Sequence, residues 1–138
     1  MERPRELRIV VADDNHDTRE LYAFYLTTVG YKVETAADGR EAVRVARAFQ
    51  PDLIVMDLQM PNVDGWAAIR ELQRDEAMLR VPLIALTGHE FKHYLKASAL
   101  AAGAWSFLTK PCLPERLANE IAARLRDRVP IARIARTP

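Results

Sequence analysis

Short apolar runs that stop abruptly at polar residues recur along the chain. Leu7-Arg8-Ile9-Val10-Val11-Ala12 ends at Asp13-Asp14-Asn15, Leu53-Ile54-Val55-Met56 at Asp57, Val81-Pro82-Leu83-Ile84-Ala85-Leu86 at Thr87-Gly88, and Trp105-Ser106-Phe107-Leu108 at Thr109-Lys110-Pro111. Runs of this length, rich in β-branched residues, suit strands buried on both faces of a parallel sheet. Tyr31-Lys32-Val33-Glu34-Thr35 alternates polar and apolar positions, as a strand nearer an edge does.

The intervening segments carry helical spacing. From Asp17 to Val29, the apolar set Leu21, Phe24, Tyr25 and Thr28 recurs every three to four residues, and Gly30 follows where a helix often ends with positive φ. Gly39 to Phe49 puts Ala42, Val45, Ala46 and Phe49 on one face, and Asp64 is placed to cap a helix carrying Ile69 and Leu72. His89 to Ala102 is an alanine-rich helix closed by Gly103, and Leu113 to Arg128 is a last helix before Pro130. Five strands alternating with five helices through short loops predict an α/β fold of repeated βα units around a five-stranded parallel sheet. Pro82 fits the start of a strand, where its missing N–H matters least.

Composition narrows the class without changing this picture. At 138 residues the chain matches one domain, enough to bury about 68% of its unfolded surface. No apolar stretch approaches the roughly 20 residues of a membrane span, and the N-terminus lacks the apolar core of a signal peptide, so a cytoplasmic location is expected. Cys112 is the only cysteine, which excludes an intramolecular disulfide and a multi-cysteine zinc site. The net charge of +1 argues against nucleic-acid binding by the chain as a whole, although residues 116–138 carry +4 and the first 115 carry −3. The arginine-rich end reads as a solvated helix terminus followed by a flexible basic tail over 129–138, and no direct nucleic-acid binding is expected.

The chemistry sits at the strand ends. In an open parallel sheet, ligands bind beyond the carboxyl ends of the strands, and that is where Asp13, Asp14, Asp57, Thr87 and Lys110 fall. Three converging carboxylates repel one another and would gain protons or recruit a hard cation, with Mg2+ the natural candidate. A lysine and a hydroxyl could hold the remaining oxygens of a phosphate, so the set suits phosphoryl transfer.

These residues carry a resemblance. Val10-Val11-Ala12-Asp13-Asp14-Asn15, Val55-Met56-Asp57-Leu58-Gln59-Met60-Pro61-Asn62-Val63-Asp64-Gly65, Ala85-Leu86-Thr87-Gly88 and Gly103-Ala104-Trp105-Ser106-Phe107-Leu108-Thr109-Lys110-Pro111 stand in the order seen in response regulator receiver domains of two-component signalling. The chain resembles that family over about residues 6–128. The resemblance implies a flavodoxin-like doubly wound fold with strand order 2-1-3-4-5. It also implies that Asp57 accepts a phosphoryl group from a sensor histidine kinase or a histidine phosphotransfer protein. Asp14, Asp57 and the Gln59 carbonyl would ligate Mg2+, with Asp13 acting mainly through coordinated water. Lys110 would pair with the phosphoryl group and Thr87 would hydrogen-bond to it.

By the same resemblance, Thr87 and Phe107 would form a conformational switch, and Gln59 and His89 would flank the attacking water and tune dephosphorylation. The Lys110-Pro111 bond is usually cis in the family. Trp105 and Phe107, two apart on a strand, would face the surface of the fourth helix, fifth strand and fifth helix, where a downstream protein target or a second copy of the chain would bind. Trp105 folding over neighbouring helices is the plainer reading. Tyr22, His16 and Cys112 fall in the region where receivers meet the phosphodonor, and packing is the plainer role for Tyr22 and Cys112.

The receiver would occupy nearly the whole length, so a stand-alone module acting through partners or onward phosphorelay is expected, with no turnover of an external substrate. Two other classes compete. A receiver-like scaffold would bind without phosphorylation, which the intact acidic set disfavours. A Mg2+-dependent phosphohydrolase with an aspartate nucleophile would need a second acid two residues on, where this chain has Gln59. A flavodoxin-like cofactor binder would need a flavin-phosphate loop after the first strand, which is absent.

Overall fold

The computed structural model describes residues 6–60, 65–88 and 92–128. Within them, strands β1 (Arg8–Ala12), β2 (Lys32–Ala36), β3 (Leu53–Asp57), β4 (Leu83–Gly88) and β5 (Ser106–Lys110) alternate with helices α1 (His16–Val29), α2 (Gly39–Phe49), α3 (Gly65–Gln73), α4 (Lys92–Ala102) and α5 (Pro114–Arg126). A 3-10 turn at Glu76–Met78, capped by the Asp75 side chain, lies between α3 and β4 and has no counterpart in the predicted elements. The strands form one parallel sheet in the order β2-β1-β3-β4-β5, as expected.

The period of two along each strand divides the interior. Ile9 and Val11 of β1, Leu53 and Val55 of β3, and Ile84 and Leu86 of β4 pack with Tyr22 and Leu26 of α1 and Leu117, Ile121 and Leu125 of α5. The alternate residues Val10, Ala12, Ile54, Met56, Leu83 and Ala85 pack with α2, α3 and Ala99 of α4. The three central strands are therefore apolar on both faces, which is why their sequences read as continuous runs.

Local signals set the element ends. The Asn15 side chain accepts the Thr18 N–H at 2.9 Å and starts α1, while Gly30, at φ +120°, ends it in a conformation that favours glycine. Asp38 accepts the Glu41 N–H at 2.8 Å and Glu41 reaches back to the Ala37 N–H at 3.3 Å, a reciprocal cap for α2. Buried Asp52 ties the far end of the sheet together, accepting the Arg8 N–H at 2.8 Å and the Arg128 guanidinium at 3.0 Å.

One expectation holds only in part. The apolar set predicted for the first helix faces the core only through Tyr25, which is partly buried against it: Tyr22 and Leu26 are the buried residues, whereas Leu21, Phe24 and Thr28 are exposed, Phe24 with 75% of its surface. Both stripes have helical spacing, and the choice falls to packing against β1 and α5. The cap expected at Asp64, the predicted helix start from His89 and the tail over 129–138 lie outside the described residues. No helix among the described residues is long and apolar enough to cross a membrane.

Two measurements test this arrangement. Leu26→Ala should cost about 3 kcal/mol in urea unfolding, while Phe24→Ala should stay within about 0.5 kcal/mol; equal losses would restore the predicted face. Burial alone would raise the Glu120 carboxyl, but the guanidiniums of Arg116 and Arg124 outweigh it and hold the group below the usual range. A lowered folded-state pKa stabilises above the unfolded value, about 4.3, and that stability is lost as pH falls through the lower folded value. Glu120→Gln should therefore flatten the acid limb of the stability–pH curve below about pH 4.3.

Candidate functional site

Strands β1, β3, β4 and β5 deliver polar residues to one edge of the sheet. Asp13 is fully buried just past β1. Its N–H donates to the Ala36 carbonyl at 3.0 Å, its Oδ1 accepts the Asn15 N–H at 2.9 Å, and its carbonyl accepts from the Arg19 guanidinium at 2.9 Å. Asp57, the last residue of β3, is also buried, and its Oδ1 accepts the Gln59 N–H at 2.9 Å. Lys110 ends β5 in register with Gly88 of β4. From there its Nζ donates to Asp13 Oδ2 at 2.7 Å and to Asp57 Oδ2 at 2.9 Å.

Asp14 lies beside this trio and is exposed, so the acidic group opens to water on one side. Carboxylate oxygens of Asp13, Asp14 and Asp57 lie within 4.8 Å of one another. Three carboxylates at that spacing facing one ammonium fit a hard divalent cation, which takes oxygen ligands and offsets their repulsion. Thr87, at the end of β4, is completely buried, and its Oγ1 has no hydrogen-bond partner among the described residues. Such a hydroxyl costs about 1–3 kcal/mol unless a group entering the site satisfies it.

The charges explain the titration of the central pair. Burial pushes the Asp57 carboxyl up, and nearby Asp13 adds to the rise, while the Gln59 N–H and Lys110 oppose it. Burial would lower the Lys110 ammonium, but Asp13 and Asp57 together raise it.

Two supports, the roles of Gly65 and Arg19, escaped the sequence reading, and so did the bond through which Tyr22 acts. A Cβ on Gly65 would lie 2.7 Å from the Leu58 Cα, so only glycine lets α3 start against the loop that follows Asp57. Arg19, one turn into α1, braces the Asp13 carbonyl; its sequence signal is only its place one turn after the Asn15 cap. Tyr22 donates its hydroxyl to the Cys112 carbonyl at 2.6 Å, and its phenol is pushed up to about 12 by burial first and the Cys112 thiol second. Packing is thus the observed role of Tyr22, which anchors the loop two residues past Lys110. Burial also raises the Cys112 thiol, in keeping with a small loop apolar rather than a reactive thiolate.

The remaining candidates lie around this cluster. Gln59 is exposed, its side chain reaching toward Gly88. Phe107 is partly buried against the α2–α3 side of the core and borders a 590 Å³ cavity with Lys96, Pro111, Leu113 and Arg116. Trp105 stands one residue before β5, half-buried, its N–H donating to the Leu83 carbonyl at 2.8 Å. The Lys110–Pro111 bond is cis. His89 lies outside the described residues.

Residues 9–122 match the family model of the response regulator receiver domain. The chain belongs to that family. Among its relatives, the DNA-binding dual master transcriptional regulator RpaA of Synechocystis is 36% identical over 127 residues, covering 91% of this chain and 52% of that protein. The alkaline phosphatase synthesis transcriptional regulatory protein PhoP of Bacillus subtilis is 34% identical, covering 86% and 48%. The chain therefore spans about half the length of these curated relatives. Among solved structures, chemotaxis protein CheY4 of Vibrio cholerae superposes with a TM-score of 0.81 at 30% identity, covering 86% of this chain and 98% of that one. NtrX of Brucella abortus gives 0.81 at 27% identity, covering 89% of this chain but 27% of its own length.

The receiver's β5–α5 loop supplies a test of how the site is held. Tyr22→Phe keeps the buried ring but removes the bond to Cys112, and should cost about 1 kcal/mol in denaturant unfolding. No loss would mean that the hydroxyl contributes nothing to anchoring the loop.

Proposed function

We propose that this receiver accepts a phosphoryl group on Asp57 from the phosphohistidine of a sensor kinase or phosphotransfer protein and passes the signal to protein partners or onward by phosphorelay. The observation that carries the reading is the Lys110 ammonium bonded to both buried carboxylates, 2.7 Å from Asp13 and 2.9 Å from Asp57. It supplies positive charge where the equatorial oxygens of a loose phosphoryl-transfer transition state would gather.

In the step proposed, one Asp57 carboxylate oxygen bonds to phosphorus as the phosphorus–nitrogen bond of the donor breaks, and the imidazole leaves with that electron pair. The Gln59 N–H fixes the orientation of the Asp57 carboxylate beforehand. Mg2+ held by Asp13, Asp14, Asp57 and the Gln59 carbonyl would supply the further positive charge that the three carboxylates and the incoming phosphoryl oxygens require. Lys110 stays paired with the new phosphoryl group, and the unpartnered Thr87 hydroxyl donates to one of its oxygens. Satisfying that buried hydroxyl favours the packing in which it is bonded, so the phosphoryl group shifts a population rather than building a new state. Phe107, on the strand next to Thr87 and beside a cavity, is the side chain with room to respond. The face it shares with α4 and α5 is the proposed partner surface, with Trp105 at its edge, and Gln59 and His89 would set the lifetime of the phosphorylated state.

Mixing the protein with Mg2+ and a small phosphodonor should add one base-labile phosphate to Asp57, detected by mass spectrometry. Chelation with EDTA or the Asp57→Asn change should abolish it. Phosphate that persists in Asp57→Asn, or none in the wild type, would overturn the reading.

A further inference from the structure

Helix α2 buries Ala42, Val43 and Ala46 and turns Arg40, Arg44 and Arg47 to solvent. At i, i+4 and i+7 these guanidiniums lie along one face over about 10 Å, two helical turns. They border an open groove of 480 Å³ toward α3, with buried Val43 at its floor, exposed Ala48 beside it and Glu71 on the far side. Arg47 is already held, 3.6 Å from Glu71 and 3.3 Å from Asp75. Among the described residues, Arg40 and Arg44 hold no carboxylate. Like charges four apart on a helix repel, and Arg40 also sits in the first turn, where the helix dipole is positive. Two guanidiniums without a carboxylate among the described residues therefore border the groove, on an element whose residues take no part in the Asp13, Asp57 and Lys110 cluster.

We propose that the α2–α3 groove is a docking site for an acidic protein segment, with Arg40 and Arg44 each taking a carboxylate and the exposed Ala48 leaving room for its side chains. Guanidiniums bind carboxylates in a two-pronged fashion, and glutamates spaced i, i+4 and i+7 on a partner helix repeat along the same length as the arginines. A nucleic-acid backbone fits less well. Glu71 and Asp75 would repel a continuous polyanion, and among the described residues of this face only Arg40 and Arg44 lack a carboxylate partner to exchange for phosphates. The proposal is independent of phosphorylation at Asp57.

Fluorescence polarisation with the 138-residue chain tests this, using a labelled helical peptide of leucines with glutamates at i, i+4 and i+7. The peptide should bind, and its affinity should fall with added salt. Arg40→Glu/Arg44→Glu should weaken it by about tenfold, as expected for lost complementary charge. The milder Arg40→Gln/Arg44→Gln pair should give a smaller loss, with circular dichroism establishing that both variants are folded. A lysine version of the peptide should prefer the charge-reversed protein. Both double variants should still take phosphate on Asp57, so this result is separable from the proposed function. No binding, equal binding by wild type and both variants, or tighter arginine-dependent binding of duplex DNA would overturn the proposal.

Discussion

Two carboxylates, Asp13 and Asp57, are taken out of water at the ends of neighbouring strands, and the single ammonium of Lys110 bonds to both. A buried charge that loses its partner costs several kcal/mol, so much of the surrounding architecture is constrained to keep these groups together. The parallel sheet brings the ends of β1, β3, β4 and β5 to one edge. Backbone N–H groups of Asn15 and Gln59 bind the carboxylate oxygens that Lys110 does not. With Asp14 at the exposed side, the cluster remains short of positive charge, and that shortage defines what the site can accept.

The same constraint explains features that contribute no chemistry themselves. Gly65 allows α3 to begin against the backbone after Asp57. Arg19 holds the carbonyl of Asp13, and Tyr22 holds the loop after Lys110 from across the α1–α5 side of the core. Thr87 is the exception, a buried hydroxyl without a partner among the described residues. Its unmet hydrogen bond makes the packing around it responsive to whatever oxygen enters the site, and a fully satisfied network would lack that property.

Charge is also distributed more purposefully than the net value of +1 implies. The acidic cluster occupies the carboxyl edge of the sheet. Helix α2 presents arginines at two successive turns, and α5 binds its own through Glu120, with Arg116 at 3.1 Å and Arg124 at 3.5 Å. The basic character assigned from sequence to residues 116–138 is thus partly neutralised within α5, whereas Arg40 and Arg44 remain uncompensated among the described residues.

The strands and the site residues were legible in the sequence for a physical reason. A strand buried on both faces, as β1, β3 and β4 are, must be apolar throughout, and the polar residue that ends it has to lie at the carboxyl edge of the sheet, so Asp13, Asp57 and Thr87 could be read from where three runs stop. Lys110 ends the run of β5, an outer strand with only Leu108 buried, where the same signal is weaker. Helix faces were less legible. Leu21 and Phe24 have the same helical spacing as Tyr22 and Leu26, and only docking of α1 on β1 and α5 decides which pair is buried. Contacts between residues distant in the chain have no local signature at all. The reach of Lys110 to Asp13, the bond from Tyr22 to Cys112, the fit of Gly65 on Leu58 and the groove between α2 and α3 arise only once the strands are ordered. The order of residues determined which groups could be buried and where each strand must stop, because burial is a property of each segment. Which groups meet was decided by the tertiary structure, because pairing depends on the order of the strands in space.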